Sequence, residues 1–209
     1  MRKRAESAMR IKICGLTDVR EAEYLNKNQV DYAGIVLFYE KSKRNMCIEE
    51  AKPILSALSP GIQKVAVMVS PTESQVRQAA EAGFDLAQVH GELHDGVTDV
   101  LPVWKAFNMS DMNRLDLYRR DPGVTGYVFD AWEPGSGKPC DWNMLRELSR
   151  DAGKLFMLAG GLRAENVADA IRFVRPDGVD VSSGVEYADR PGKDPERVDA
   201  FVASVRGSR

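Results

Sequence analysis

Short apolar, β-branched runs alternate with longer amphipathic runs along this chain, and the alternation repeats eight times. Residues 11–16 (IKICGL) read as the first strand. Asp18, three places before Glu21, has capping-box spacing and opens a helix to about Asn28. Residues 32–38 (YAGIVLF) are almost wholly apolar, as a strand covered on both faces must be, and residues 48–58 have helical period. Residues 64–70 (KVAVMVS) form the third strand. Pro71 and Thr72 then start a helix that aligns Val76, Ala79 and Ala80 on one face and ends at Gly83. The fourth unit joins residues 86–90 (LAQVH) to a weakly helical stretch at 93–101, and the fifth joins 103–107 to a short helix at 115–120. Strands at 127–131, 155–159 and 179–182, with helices at 142–150, 166–174 and 196–205, complete the series. Val167, Ala170, Ile171 and Val174 form the inner stripe of the seventh helix.

Strand-then-helix alternation argues for an all-parallel sheet with helices outside, and eight units close into a single (β/α)8 TIM barrel. An open doubly wound sheet would carry a glycine-rich dinucleotide turn after its first strand. Here that turn is Cys14-Gly15-Leu16-Thr17, with one glycine. At 209 residues the barrel is compact, which leaves no room for long insertions or a second domain. The expectation is one domain over 1–209, with 1–10 as an N-terminal extension, disordered or leading into the first strand. Arg2, Lys3 and Arg4 make that extension basic, but no apolar stretch follows as a signal peptide requires, and Met9 is an alternative start.

Composition narrows the function classes. Hydrophobic residues make up 44% and charged residues 29%, with a net charge of -2, so no basic field attracts nucleic acid. No window is apolar enough for a membrane span. Cys14, Cys47 and Cys140 lack both close pairing and C-x-x-C spacing, which argues against a disulfide scaffold or a zinc site and fits a reducing cytoplasm. His90 and His94 are four apart but straddle a strand end, and the chain holds no other histidine. No metal is expected.

Active sites of such barrels lie at the carboxyl ends of the strands. Cys14, Lys41, Lys43, Arg44, His90, Asp130, Gly160, Gly161, Ser182, Ser183 and Gly184 all fall there. Glycines and small hydroxyls after strands seven and eight let backbone N–H groups approach an anion, which favours a phosphorylated substrate. For either loop alone, a tight turn that needs glycine explains the pattern equally well. A lone cysteine in an apolar run is ordinarily a small buried hydrophobe, and as a base its pKa must fall from about 8.5. Asp130 breaks an apolar strand, where a carboxylate is costly unless paired or used, although capping the following loop is its plain alternative role. Arg44 lies in a basic run suited to a solvated loop, yet its guanidinium suits a carboxylate or phosphate.

A set of short motifs runs in order along the chain and carries a family resemblance. The carrying motifs are Lys12-Ile13-Cys14-Gly15-Leu16-Thr17, Phe38-Tyr39-Glu40-Lys41-Ser42-Lys43-Arg44 and Gln88-Val89-His90-Gly91. They continue with Gly135-Ser136-Gly137-Lys138 before Asp141-Trp142, Ala159-Gly160-Gly161-Leu162, Glu165-Asn166-Val167, Asp180-Val181-Ser182-Ser183-Gly184-Val185-Glu186 and Pro191-Gly192-Lys193-Asp194. Each motif is weak alone, but the ordered set is specific, and it resembles the phosphoribosylanthranilate isomerase family. It covers nearly all of 11–202. Asn45 stands where the family commonly has an aromatic, Cys47 and Ile48 replace its usual small residue and proline, and 109–126 matches no pattern.

The resemblance implies the Amadori rearrangement of N-(5-phosphoribosyl)anthranilate to 1-(2-carboxyphenylamino)-1-deoxyribulose 5-phosphate in tryptophan biosynthesis, without a cofactor. It implies Cys14 as base and Asp130 as an acid with a raised pKa. It gives Arg44 to the anthranilate part of the substrate and Gly160, Gly161, Ser183 and Gly184 to the phosphate, and His90, at the end of the fourth strand, is a further expected substrate-binding residue. The expected partner is a phosphorylated small molecule, and the expected state is a monomer or homodimer. Two rivals remain. One is another phosphate-binding barrel enzyme, a sugar-phosphate epimerase or aldolase, for which Lys105 is the candidate Schiff-base lysine. The other is an inactive barrel that only binds an anion.

Overall fold

A computed structural model describes residues 9–130, 142–148 and 150–208. Eight parallel strands form its centre: β1 (Arg10–Cys14), β2 (Tyr32–Leu37), β3 (Gln63–Val69), β4 (Leu86–His90), β5 (Val103–Phe107), β6 (Val124–Asp130), β7 (Leu155–Ala159) and β8 (Gly178–Val181). Each pairs with its neighbour in sequence, and β1 pairs with both β2 and β8, so the sheet closes. The helices α1 (Glu21–Asn28), α2 (Ile48–Ala57), α3 (Glu73–Glu81), α4 (Val97–Val100), α5 (Leu115–Tyr118), α6 (Trp142–Glu147), α7 (Val167–Val174) and α8 (Pro195–Arg206) follow the strands in turn. The expected (β/α)8 barrel is therefore what the chain forms.

Strand parity divides the core into two layers. Tyr32, Val65, Val67, Leu86, Trp104, Ala106, Val128 and Met157 pack inside the lumen. Ile11, Ile13, Ile35, Val89, Val103, Phe107 and Phe129 face the helices with Leu25, Ile54, Val76, Val167 and Phe201. Because side chains alternate along a strand, one polar residue among apolar ones is assigned a side by its neighbours. Lys12 and Cys14 therefore share the inward face of β1, and Lys105 takes the outward face of β5 between Trp104 and Ala106.

Helix starts follow their local chemistry where a cap is available. The Thr72 side chain accepts from Gln75 N at 3.3 Å, and the Gln75 side chain accepts from Thr72 N at 2.9 Å, a complete capping box for α3. Asp194 accepts from Glu196 N at 3.0 Å before Pro195 opens α8. Asp18 does not cap α1 as its spacing predicted. Its carboxylate accepts from Arg20 N at 2.8 Å, and a tight turn from Asp18 delays the helix to Glu21. Glu21 still reaches back, accepting from Thr17 N at 2.7 Å.

Other boundaries move as well. Strand β1 starts at Arg10, inside the expected extension, while residues 1–8 lie outside the described part. The 93–101 stretch supplies only the single turn of α4, and part of the unmatched 109–126 segment is a 3-10 helix, Met109–Arg114. A two-residue strand, Asn45–Met46, adds to the edge of β2, and the Asn45 side chain accepts from Tyr39 N at 2.7 Å. Asn45 thus closes the loop after β2 through this hydrogen bond.

Candidate active site

The carboxyl ends of the strands open onto a cavity of about 530 Å³. Cys14, Arg44, His90, Asp130, Gly160, Gly161, Ser183 and Gly184 all line it, with Val36, Val67, Val128 and Leu162 as its apolar wall. Eight residues from six different strand ends thus meet in one place. Cys140 and the 135–138 motif lie outside the described residues.

Cys14 ends β1 and is 9% exposed. Burial pushes its thiol pKa up, the Lys12 charge pulls it down, Asp180 pushes it up and Lys193 pulls it down, and the net direction is upward. That direction is opposite to the lowered thiol pKa that a base at neutral pH calls for. Beneath it, Lys12 is fully enclosed and its Nζ donates to Asp180 Oδ2 at 2.8 Å. Burial works against the Lys12 ammonium, but the facing Asp180 and Cys14 outweigh it and raise the pKa. Asp130 ends β6, half-buried at the rim, in register with Ala159.

Arg44 is held by Glu186 in a bidentate pair, Nε to Oε1 at 2.5 Å and Nη2 to Oε2 at 3.1 Å. Lys193 Nζ reaches the same carboxylate at 3.1 Å and Lys43 at 3.2 Å. Burial alone would raise Glu186, but the Arg44 hydrogen bond and the Lys193 charge hold it at about 2. Three cations around one carboxylate leave this cluster net positive, which suits an anionic ligand. His90 and Gln88 share a side-chain hydrogen bond at 3.0 Å. Burial, then the Lys105 and Lys12 charges, push His90 down to about 4, so its ring is neutral near pH 7.

The glycine loops differ in what demands glycine. Gly160 and Gly161 have φ of 88° and 61°, left-handed values that turn their backbone in a way other residues resist. At Gly184 a Cβ would lie 2.0 Å from the Leu162 carbonyl oxygen. Its identity is thus explained by two loops packing together, whether or not an anion binds.

Three inward side chains escaped the sequence reading, Lys12, Asp180 and Gln88, and with them Glu186. Period two would have found the first three: each shares the lumen face with Cys14, His90 or Ser182 on its own strand. Gln88 Oε1 and Asp180 Oδ1 are buried without a hydrogen-bond partner among the described residues, and both residues line the cavity. Lys105 is corrected. Its Nζ donates to Ala106 O at 2.7 Å and lies over the Phe107 and Tyr118 rings, away from the cavity, so it cannot meet a carbonyl substrate there. The lumen lysine is Lys12, and its pairing with Asp180 keeps it an ammonium, not an amine nucleophile.

Residues 11–204 match the family described as N-(5'phosphoribosyl)anthranilate (PRA) isomerase. The chain is 36% identical over 208 residues to the N-(5'-phosphoribosyl)anthranilate isomerase of Caldanaerobacter subterraneus subsp. tengcongensis, covering 95% of this chain and 98% of that one. Among solved structures, a phosphoribosyl anthranilate isomerase in complex with reduced 1-(o-carboxyphenylamino)-1-deoxyribulose 5-phosphate superposes with a TM-score of 0.80 at 32% identity, covering 95% and 99% of the two chains. Monomers generated from the dimeric enzyme of Thermotoga maritima superpose with a TM-score of 0.79, also at 32% identity and covering 95% and 99%.

Proposed function

The chain belongs to the N-(5'-phosphoribosyl)anthranilate isomerase family, the isomerase of tryptophan biosynthesis, and from that premise we propose that Cys14 is its base and Asp130 its acid. The reaction turns N-(5-phosphoribosyl)anthranilate into 1-(2-carboxyphenylamino)-1-deoxyribulose 5-phosphate. Asp130, protonated, gives its proton to the furanose ring oxygen as the C1′–O bond breaks and the nitrogen lone pair forms a Schiff base. That makes the C2′ proton acidic, and the Cys14 thiolate removes it to leave an enolamine. Tautomerisation places a proton on C1′ and a ketone at C2′. Oxidation at C2′ equals reduction at C1′, so the step balances without a redox cofactor. Each positioned transfer contributes about 10²- to 10⁴-fold.

The observation that supports this reading is the meeting of Cys14, Asp130 and the glycine loops around one cavity. In it, the left-handed Gly160-Gly161 turn, with Ser183 and Gly184, holds the phosphate. Arg44, oriented by Glu186, takes the anthranilate carboxylate, and neutral His90 hydrogen-bonds the substrate. The substrate is a phosphorylated small molecule. We read residues 1–209 as one domain working in the cytoplasm as a monomer or homodimer, a choice that light scattering decides. Among the described residues no helix is long and apolar enough to cross a membrane.

The test is to supply freshly made phosphoribosylanthranilate and follow the loss of its fluorescence. Conversion well above the spontaneous background is expected. Conversion at the background rate rejects the reading.

A further inference from the structure

The base role of Cys14 leaves one physical question: a thiol enclosed at the end of β1 resists ionisation unless a positive charge stands beside it. Lys12 lies two residues earlier on the same inward face and is 0% exposed. Gly34 faces Cys14 from β2 in register, and a Cβ there would lie 2.9 Å from Cys14 Sγ and 3.2 Å from Lys12 Cε. Glycine at this position leaves the sulfur and the lysine stem against the same patch of backbone. An ammonium has three donors, and Asp180 Oδ2 takes one at 2.8 Å.

We propose that the Lys12 ammonium, buried beneath the cavity and shared between Asp180 and the Cys14 sulfur, is the positioning residue that lets Cys14 act as a thiolate. The proposal rests on the base role of Cys14. Other charged or titratable groups face the sulfur too: Asp180 from β8, Lys193 from the segment before α8, Arg44 from the loop after β2, and Asp130 and the neutral His90 across the cavity. Lys12 is the strongest of those acting to lower the Cys14 pKa. A purely structural pair is a weak explanation, because well-packed apolar groups stabilise a core at least as well as a buried ion pair. The lower lumen is filled by such groups, Tyr32 and Trp104 among them.

The arrangement gives a signed prediction. With Cys47→Ser and Cys140→Ser in place, Cys14 is the sole thiol, and its alkylation by iodoacetamide is followed in substrate-free protein from about pH 6 to about pH 10. Lys12→Met is expected to raise the midpoint by about one pH unit or more and to slow alkylation near pH 8 by about tenfold. Asp180→Asn, which leaves Lys12 to the sulfur alone, is expected to lower the midpoint. The acidic limb of kcat/KM should move in the same directions. If Lys12→Met does not fold, the Lys12→Met/Asp180→Asn pair removes both charges, and its midpoint is compared with that of Asp180→Asn. A midpoint unmoved by loss of the lysine overturns the proposal. A Cys14→Ala enzyme with parental turnover would instead remove the base role, a result read in activity and not in alkylation.

Discussion

Along β4, Leu86 at the amino end of the lumen is a buried hydrocarbon, whereas Gln88 and His90 further along the same inward face carry polar groups to the cavity. The two ends of the lumen differ in this way throughout. Below, Tyr32, Val65, Leu86, Trp104 and Met157 fill the interior, with the Tyr32 and Trp104 rings meeting edge-on at 4.6 Å. Above, Cys14, His90, Asp130, Asp180 and Arg44 line open space. Apolar packing needs only volume, but each charge near the top needs a partner, so Lys12 sits with Asp180 and Arg44 with Glu186. One end of the lumen sustains the fold, and the other uses that rigidity to hold groups that would be costly alone.

The division breaks most visibly at the reacting groups. Cys14→Ala and Asp130→Asn should each lower kcat by about 10²- to 10⁴-fold while the melting temperature hardly moves. Turnover within a few-fold of the parent would strike that residue from the mechanism. Trp104→Ala should do the reverse, costing about 3–5 kcal/mol in denaturant unfolding while kcat per folded molecule holds. A large fall in kcat with unchanged stability would show that the lower lumen shapes the chemistry directly.

Glu186→Gln tests the rim. Its loss should raise KM several-fold more than it lowers kcat, because Arg44 loses the bidentate clamp that aims it. Glu186 is held at about 2 in the fold, below the unfolded glutamate value of about 4.3. Its contribution is complete above the unfolded value and lost as pH falls through the folded one. The variant should therefore lose less stability than the parent between about pH 4 and about pH 2 in acid melts. The smallest effect belongs to His90, whose folded value of about 4 lies below its unfolded value of about 6.5. The unfolded chain takes that proton first, so stability declines as pH drops between those values. His90→Gln should reduce that decline, and a histidine step in kcat/KM near neutrality would contradict the neutral ring.

The barrel was legible because fully covered strands read as apolar runs and all units but the fourth and fifth keep a clear period. The site's lining was legible because barrel chemistry collects after the strands. Lys12 is hard to see as a site residue in the sequence, because only strand parity with Cys14 marks it as an inward position of β1. Lys105 drew notice as a lysine in a strand, but parity turns it outward. The Arg44–Glu186 pair joins residues separated by 142 positions, a contact that no local pattern encodes. The turns of 109–118 obey tertiary packing on β5 more than their own weak periodicity.

The most direct measurement is a crystal structure of this chain with the reduced product analogue. The phosphate should rest on the backbone amides of Gly160, Gly161, Ser183 and Gly184, and the carboxylate on Arg44. Cys14 Sγ should lie about 3.5 Å from C2′, with Asp130 on the side of the ring oxygen. A sugar bound with C2′ turned away from the sulfur, or with its phosphate at the amino end of the lumen, would contradict the account.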